Sequence, residues 1–119
     1  MLNDARSPIA QRARTHKPGD IGISAIVVHE LFYGAFKSQR SERNVALIDA
    51  LAFEVVEFDK EDARQAGELR AGLGAQGTPI GPLDVLIAAQ AQARRIILVT
   101  HNLREFSRVP NLSLEDWEI

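Results

Sequence analysis

The fold of this chain is decided by residues 81–102, which read GPLDVLIAAQAQARRIILVTHN. Pro82 stands where a helix would begin, and the mostly apolar residues after it predict a helix over Leu83–Arg94. Ile96–Val99 is a short apolar run rich in β-branched residues, and it predicts a buried strand that ends at Thr100. A long helix leading into such a strand is the repeating unit of a parallel sheet.

The same alternation of helices and short strands runs through the rest of the chain. Ser24, Ser41 and Asp59 are each placed to cap the start of a helix. Further strands are predicted at Ile21–Ile23, Phe53–Phe58 and Leu112–Leu114, and further helices at Ser7–His16, Ala25–Phe36, Glu42–Ala52 and from Asp59 toward Ala75. Because parallel strands need crossover helices, the prediction is an α/β fold with helices on both faces of a parallel sheet.

Composition limits the possible classes of protein. The chain has 119 residues with 45% hydrophobic and 25% charged, which predicts a single globular domain over residues 1–119. Its apolar runs are far shorter than the roughly 20 residues of a membrane span, so no membrane partner is expected. Cysteine is absent, which excludes disulfides and thiolate metal sites and favours the cytoplasm. The net charge of −2 gives no general attraction to nucleic acid.

Polar residues follow the predicted strands at positions where ligands bind in such sheets. Glu30 lies on a mostly apolar helix, Asp84 lies in a first helical turn, and Thr100-His101-Asn102 leaves a strand end. Each has an ordinary explanation: Glu30 points to solvent, Asp84 complements a helix dipole, and the last segment is a capped turn. Together they predict an acidic cluster at one edge of the sheet.

Clustered carboxylates repel one another, and a divalent cation removes that cost. Oxygen ligands suit Mg²⁺ or Mn²⁺, and zinc is disfavoured because His16, His29 and His101 are scattered. There is no phosphate-binding Gly-rich loop and no nucleophile-elbow pattern. A Ser-His-Asp triad stays open on sequence alone.

Three segments resemble a known family, in order and with its spacing. They are SAIVVHELFYGA at residues 24–35, GTPIGPLDVLIAA at 77–89 and LVTHNLREFSRVP at 98–110. Together they resemble PIN-domain ribonucleases, specifically the VapC-type toxins. The resemblance implies a three-layer sandwich with a central parallel sheet. It also implies an endoribonuclease dependent on Mg²⁺ (or Mn²⁺) that acts as the toxin of a type II toxin–antitoxin pair. RNA as substrate, a VapB-like antitoxin as partner and a homodimer are implied as well.

The resemblance carries roles onto individual residues. Glu30 matches the family's second acidic residue and Asp84 its third, so both are expected at the metal and in catalysis. Asn102 matches the last polar position of the catalytic set, and Thr100 belongs to the same substrate-binding pocket.

Two arginines and one further carboxylate lie near this pocket in the sequence. Arg104 is expected to bind substrate, and Arg108 is a second candidate for holding RNA phosphates. Solvated arginines are the ordinary alternative. The role of Glu105 stays open.

The chain departs from the family at its beginning, where the family has a central strand ending in its first catalytic Asp. Asp4 lacks a preceding apolar strand, so the role is not carried onto it. A start further upstream, an inactive truncated remnant, or a strand supplied by another chain would each explain the difference. The missing strand would leave unpaired backbone in the sheet.

The departure keeps a second function open. A catalytically inactive PIN-like module could still bind an antitoxin helix in an apolar groove near Val27, Leu31 and Phe32. An unrelated α/β domain is the third and least specific alternative.

Overall fold

A computed structural model of the chain describes residues 21–116, which fall into two compact units, 21–58 and 59–116. Each unit is described by itself. The predicted helix Ser7–His16 and the predicted absence of the family's first strand concern residues outside the described range, so both stay predictions. No helix within 21–116 is long and apolar enough to cross a bilayer.

Residues 21–58 form two short strands and two helices. The elements are β1 (Gly22–Ser24), α1 (Ala25–Lys37), α2 (Ser41–Asp49) and β2 (Glu54–Val56). β1 and β2 pair in parallel, with Ile23 opposite Val55. A Cβ at Gly22 would lie 2.8 Å from Val56 Cγ2, so only glycine allows this approach. α1 packs against α2 and against both strands.

The start of α1 agrees with its predicted cap, whereas the bounds of α2 do not. Ser24 accepts a hydrogen bond from the Ile26 N–H at 3.1 Å, as an N-cap does. Ser41 is not the cap of α2 but its first residue. The cap position is Arg40, which makes no side-chain cap hydrogen bond. The helix ends at Asp49, three residues before the predicted end, because the chain turns where the Leu51 N–H bonds to the Ile48 carbonyl.

Residues 59–116 contain a helix pair and a second pair of strands. The elements are α3 (Lys60–Ala75), α4 (Pro82–Arg94), β3 (Leu98–Val99), α5 (Leu103–Phe106) and β4 (Leu114–Glu115). β3 and β4 pair in parallel, and α3 packs against α4. The predicted helix boundaries at Asp59 and Pro82 are confirmed.

The core of this unit lies around α4. Ala88 and Ala89 are completely buried, and small side chains at these positions let α4 pack closely on its neighbours. The other buried apolar residues are Ala66, Leu69, Leu73, Ile80, Val85, Ile87, Ala91, Phe106 and Val109. Burial on most sides of α4 explains why its sequence is apolar rather than amphipathic.

A buried carboxylate joins the two long helices. Asp59 caps α3 and exchanges hydrogen bonds with Asp62, each side chain accepting from the other residue's N–H. Asp62 is 1% exposed, and its Oδ2 lies 3.0 Å from Arg94 Nη2 on α4. The hydrogen bond from the Asp62 N–H is the largest of the effects that lower the pKa of Asp59 below its ordinary value.

The α/β class and the parallel strand pairing are confirmed. β2, β3 and β4 are shorter than predicted, whereas β1 has the predicted length but lies one residue later, at Gly22–Ser24. Ile96 and Ile97 precede β3 rather than belonging to it. Leu112–Leu114 overlaps β4 only at Leu114, since β4 continues to Glu115. The N–H groups of Leu98 and Thr100 donate to the carbonyls of Ser113 and Glu115. The N–H of Val99 therefore points to the opposite edge of β3.

Candidate active site

Glu105 is the centre of a polar cluster where α4 begins and β3 ends. Its Oε1 accepts a hydrogen bond from the Gly81 N–H at 3.0 Å. Its Oε2 accepts one from Asn102 Nδ2, also at 3.0 Å. The Asp84 side chain hydrogen-bonds to the same carboxyl group. Four residues from two separate stretches of the sequence are therefore joined through one side chain.

The turn before α4 places Asp84 in this cluster. Gly81 is the N-cap of α4 and Pro82 is its first residue, which leaves Asp84 in the first turn. A Cβ at Gly81 would lie 3.1 Å from Asp84 Oδ2 and 3.9 Å from Glu105 Oε1. An added methyl group would crowd the Asp84 carboxylate, whereas the φ of −56° at Gly81 suits any residue.

The end of β3 places Asn102 and Glu105 in this cluster. The Thr100 N–H donates to the Glu115 carbonyl at 2.9 Å, and Thr100 Oγ1 accepts from the Asn102 N–H at 3.0 Å. α5 then begins, so Asn102 and Glu105 are three residues apart on adjoining turns. Phe106, next to Glu105, is 4% exposed and anchors the short helix in the core.

The hydrogen bonds to Glu105 lower its pKa below the ordinary value. The Gly81 N–H has the largest effect, followed by the hydrogen bonds from Asp84 and Asn102. Partial burial opposes the shift, and the charge of Arg108 adds to it. Each donor stabilises the ionised carboxylate, so Glu105 is negatively charged at neutral pH.

The contact between Asp84 and Glu105 requires either a proton or a cation, because two ionised carboxylates cannot hydrogen-bond to each other. A hard divalent cation can replace that proton, and carboxylate oxygens are the ligands that Mg²⁺ and Mn²⁺ prefer. The donor set therefore fits such an ion. Within residues 21–116, no group of three His, Cys, Asp or Glu side chains is arranged to hold a metal. The candidate ligands in the cluster are therefore the two carboxylates of Asp84 and Glu105.

Within residues 59–116 the structure brings three of the predicted site residues together. Asp84, Thr100 and Asn102 all belong to the cluster around Glu105. Glu30 is exposed on α1 in the other unit, and Arg104 is exposed on α5. The roles of these five residues stay predictions.

Arg108 contacts the loop before α4. Its Nη1 donates to the Pro79 carbonyl at 2.9 Å. The arginine thereby supports the turn that leads to Gly81, while its charge acts on Glu105.

Sequence reasoning left the role of Glu105 open and missed that of Gly81. The available signal was the three-residue spacing from Asn102 to Glu105, which brings side chains together on a helix. Nothing in the sequence shows that Gly81 faces Glu105, because they are 24 residues apart. His101 makes a contact that the sequence does not show: its Nδ1 lies 3.0 Å from Oδ2 of Asp116, whose side chain is 6% exposed.

Comparisons with known proteins identify the family of the chain. The family model described as PIN domain matches residues 1–112. The tRNA(fMet)-specific endonuclease VapC of Salmonella typhimurium is 45% identical over 97 residues, covering 80% of this chain and 74% of the relative. Ribonuclease VapC2 of Rickettsia felis is 42% identical over 104 residues, covering 86% and 78%.

The solved structures agree as well. The chain resembles a protein in the crystal structure of DNA-bound VapBC from Salmonella typhimurium with a TM-score of 0.91 and 39% identity, covering 98% of this chain and 89% of that one. Fold and site define an α/β protein with an oxygen-rich acidic centre. The chain belongs to the PIN-domain family, and within it to the VapC-type toxins.

A substitution at Gly81 tests the geometry of the cluster. We expect Gly81→Ala to lower any activity of the site about tenfold, because the new methyl group displaces the Asp84 carboxylate and small misplacements of reacting groups are costly. The backbone angles at Gly81 suit alanine, so the free energy of unfolding should stay within about 1 kcal/mol of the wild-type value. Equal activity in the two proteins would show that the Asp84 position does not matter.

Proposed function

We propose that this chain is a metal-dependent endoribonuclease and the toxin of a VapBC-type pair. The observation that carries the proposal is the hydrogen-bonded pair of Asp84 and Glu105, oriented by Gly81 and Asn102. Two relatives are named as a tRNA(fMet)-specific endonuclease and a ribonuclease, which supports RNA as the substrate. Which RNA is cut depends on contacts outside this pair.

We assign Asp84 and Glu105 to hold Mg²⁺ or Mn²⁺, with Glu30 as a third acid by resemblance. The bound ion would neutralise charge on the phosphodiester and make water more acidic. Gly81 and Asn102 keep Glu105 ionised by donating to its two oxygens.

The remaining residues of the cluster shape the path of the substrate. Thr100 fixes the turn that presents Asn102, and its hydroxyl lies at the end of β3. Arg104 directly precedes Glu105, is exposed, and suits a phosphate contact. A VapB-like antitoxin is proposed as the partner because matched structures are VapBC complexes. A homodimer and a cytoplasmic location complete the proposal.

One observation favours a second function, an inactive module that only binds an antitoxin. Within residues 21–116 no three acids are grouped to hold a metal, whereas the family resemblance implies a first catalytic Asp in addition to Glu30 and Asp84. If no further acid joins the pair, the chain would retain the fold without cleaving RNA.

Metal removal separates the two functions. We expect the purified chain to cleave an end-labelled RNA in Mg²⁺ and to lose all cleavage in EDTA, with recovery when Mg²⁺ or Mn²⁺ is restored. The reason is that, without the cation, no positive charge stabilises the negative charge that develops on the phosphodiester as it is cut. Cleavage that persists in EDTA would contradict the dependence on a metal ion. Antitoxin binding without any cleavage would favour the inactive module.

A further inference from the structure

The exposed face of α1 carries two aromatic rings that the acidic cluster does not use. Tyr33 is 62% exposed and Phe36 is 68% exposed. His29 and Lys37 are exposed on the same side of the helix, because residues three and four apart share a face. We call His29, Tyr33, Phe36 and Lys37 the aromatic stripe. Ala35, on the opposite side of α1, is 5% exposed.

The two rings are held by neighbouring side chains. Lys37 Nζ lies 4.8 Å from the centroid of the Tyr33 ring, a cation–π distance. The Phe36 ring lies 6.3 Å from that of Phe32 with a tilt of 32°, within the range of favourable aromatic pairs. Rings that are already positioned lose little entropy when they bind a flat partner.

Positive charge adjoins the aromatic stripe. Lys37 is followed by Arg40 and Arg43, which are exposed around the start of α2, with Glu42 the single acid among residues 37–43. Cations beside exposed rings suit a polyanion that carries flat groups, which is the chemistry of an unpaired nucleic-acid strand.

We propose that the aromatic stripe stacks unpaired bases of the RNA substrate. The inference rests on the proposed function, in which the chain binds and cleaves RNA. The bases must be unpaired where the stripe binds, because paired bases cannot offer their faces to the rings.

Binding to short RNAs in EDTA, where cleavage is prevented, tests the stripe. We use a single-stranded RNA of about 12 nucleotides, within the range of single-strand site sizes, the same strand with abasic positions, and its duplex, each measured by fluorescence anisotropy. Tyr33→Ala and Phe36→Ala should each weaken binding of the single strand about tenfold, because base–aromatic stacking contributes about 1–3 kcal/mol per base. Tyr33→Phe is the matched control that keeps the ring, and it should bind as the wild type does.

The abasic strand needs no variant and so does not depend on the folding of one. It should bind the wild-type chain more weakly than the intact strand, and this difference should shrink in Tyr33→Ala. Equal affinity of wild type and both alanine variants for the intact strand would overturn the stripe as an RNA site. Unchanged RNA affinity with lost binding of a protein partner would assign the stripe to that partner and overturn the inference as well.

The failure of this inference is distinguishable from failure of the proposed function. If the wild-type chain cleaves RNA in Mg²⁺ and Tyr33→Ala cleaves it equally well, only the stripe is rejected. If the wild-type chain neither binds nor cleaves RNA, the proposed function and the stripe are both rejected.

Discussion

Replacing Asp84 by asparagine should lower the rate of RNA cleavage by about 10²–10³-fold. The substitution keeps the shape of the side chain but removes the negative charge that would hold a divalent cation, and loss of a single charged or polar group at a reacting centre typically has an effect of this size. The introduced amide could still hydrogen-bond to Glu105, so the local fold should persist. The measurement is the initial cleavage rate of a labelled RNA at saturating Mg²⁺.

The matched control for this substitution is Glu61→Gln. Glu61 is an exposed acid in the first turn of α3, as Asp84 is an acid in the first turn of α4, so both variants lose one charge from a helix start. We expect Glu61→Gln to cleave at the wild-type rate. Equal rates for Asp84→Asn and the wild type would exclude Asp84 from the catalytic centre.

The largest loss of stability is expected from Asp62→Ala. This carboxylate is buried, accepts from the Asp59 N–H, and lies 3.0 Å from Arg94 Nη2. Its removal deletes half of the capping box and the short ion pair between the two long helices, for a loss of about 3 kcal/mol. For a chain of this size the melting temperature should fall by roughly 10 °C, measured by circular dichroism.

A second ion pair on the same helix provides the comparison. Glu61 and Arg64 are 3.9 Å apart, and both side chains are 73% exposed. Exposed pairs of this kind contribute less than about 1 kcal/mol, so Glu61→Ala should shift the melting temperature by no more than a few degrees. Similar shifts for Asp62→Ala and Glu61→Ala would show that burial of Asp62 does not strengthen the contact.

The parts of the fold that could be predicted from sequence are those with strong local signals. Asp59 as a cap and Pro82 as a helix start depend on chemistry within one turn, and both boundaries are confirmed. The bounds of α2 were wrong because a serine before a helix resembles a cap whether or not its side chain bonds to the backbone. β2, β3 and β4 were predicted too long, since apolar composition does not show where backbone pairing stops.

The candidate site was predictable to a lesser degree. Asp84, Thr100 and Asn102 stood out because they follow the turn or strand ends where ligands bind in α/β folds. The central position of Glu105 depends on a hydrogen bond from Gly81, 24 residues away, and no local pattern encodes such a contact. The space required at Gly81 is likewise a tertiary property, because its backbone angles are ordinary.

Direct binding of Mn²⁺, measured by electron paramagnetic resonance without RNA, is the sharpest test of the Asp84–Glu105 centre. We predict that the wild-type chain binds Mn²⁺ and that Asp84→Asn and Glu105→Gln each weaken this binding at least about tenfold, as loss of a charged oxygen ligand should, while Glu61→Gln leaves it unchanged. Equal Mn²⁺ binding by the wild type, Asp84→Asn and Glu105→Gln would contradict a metal centre at this pair.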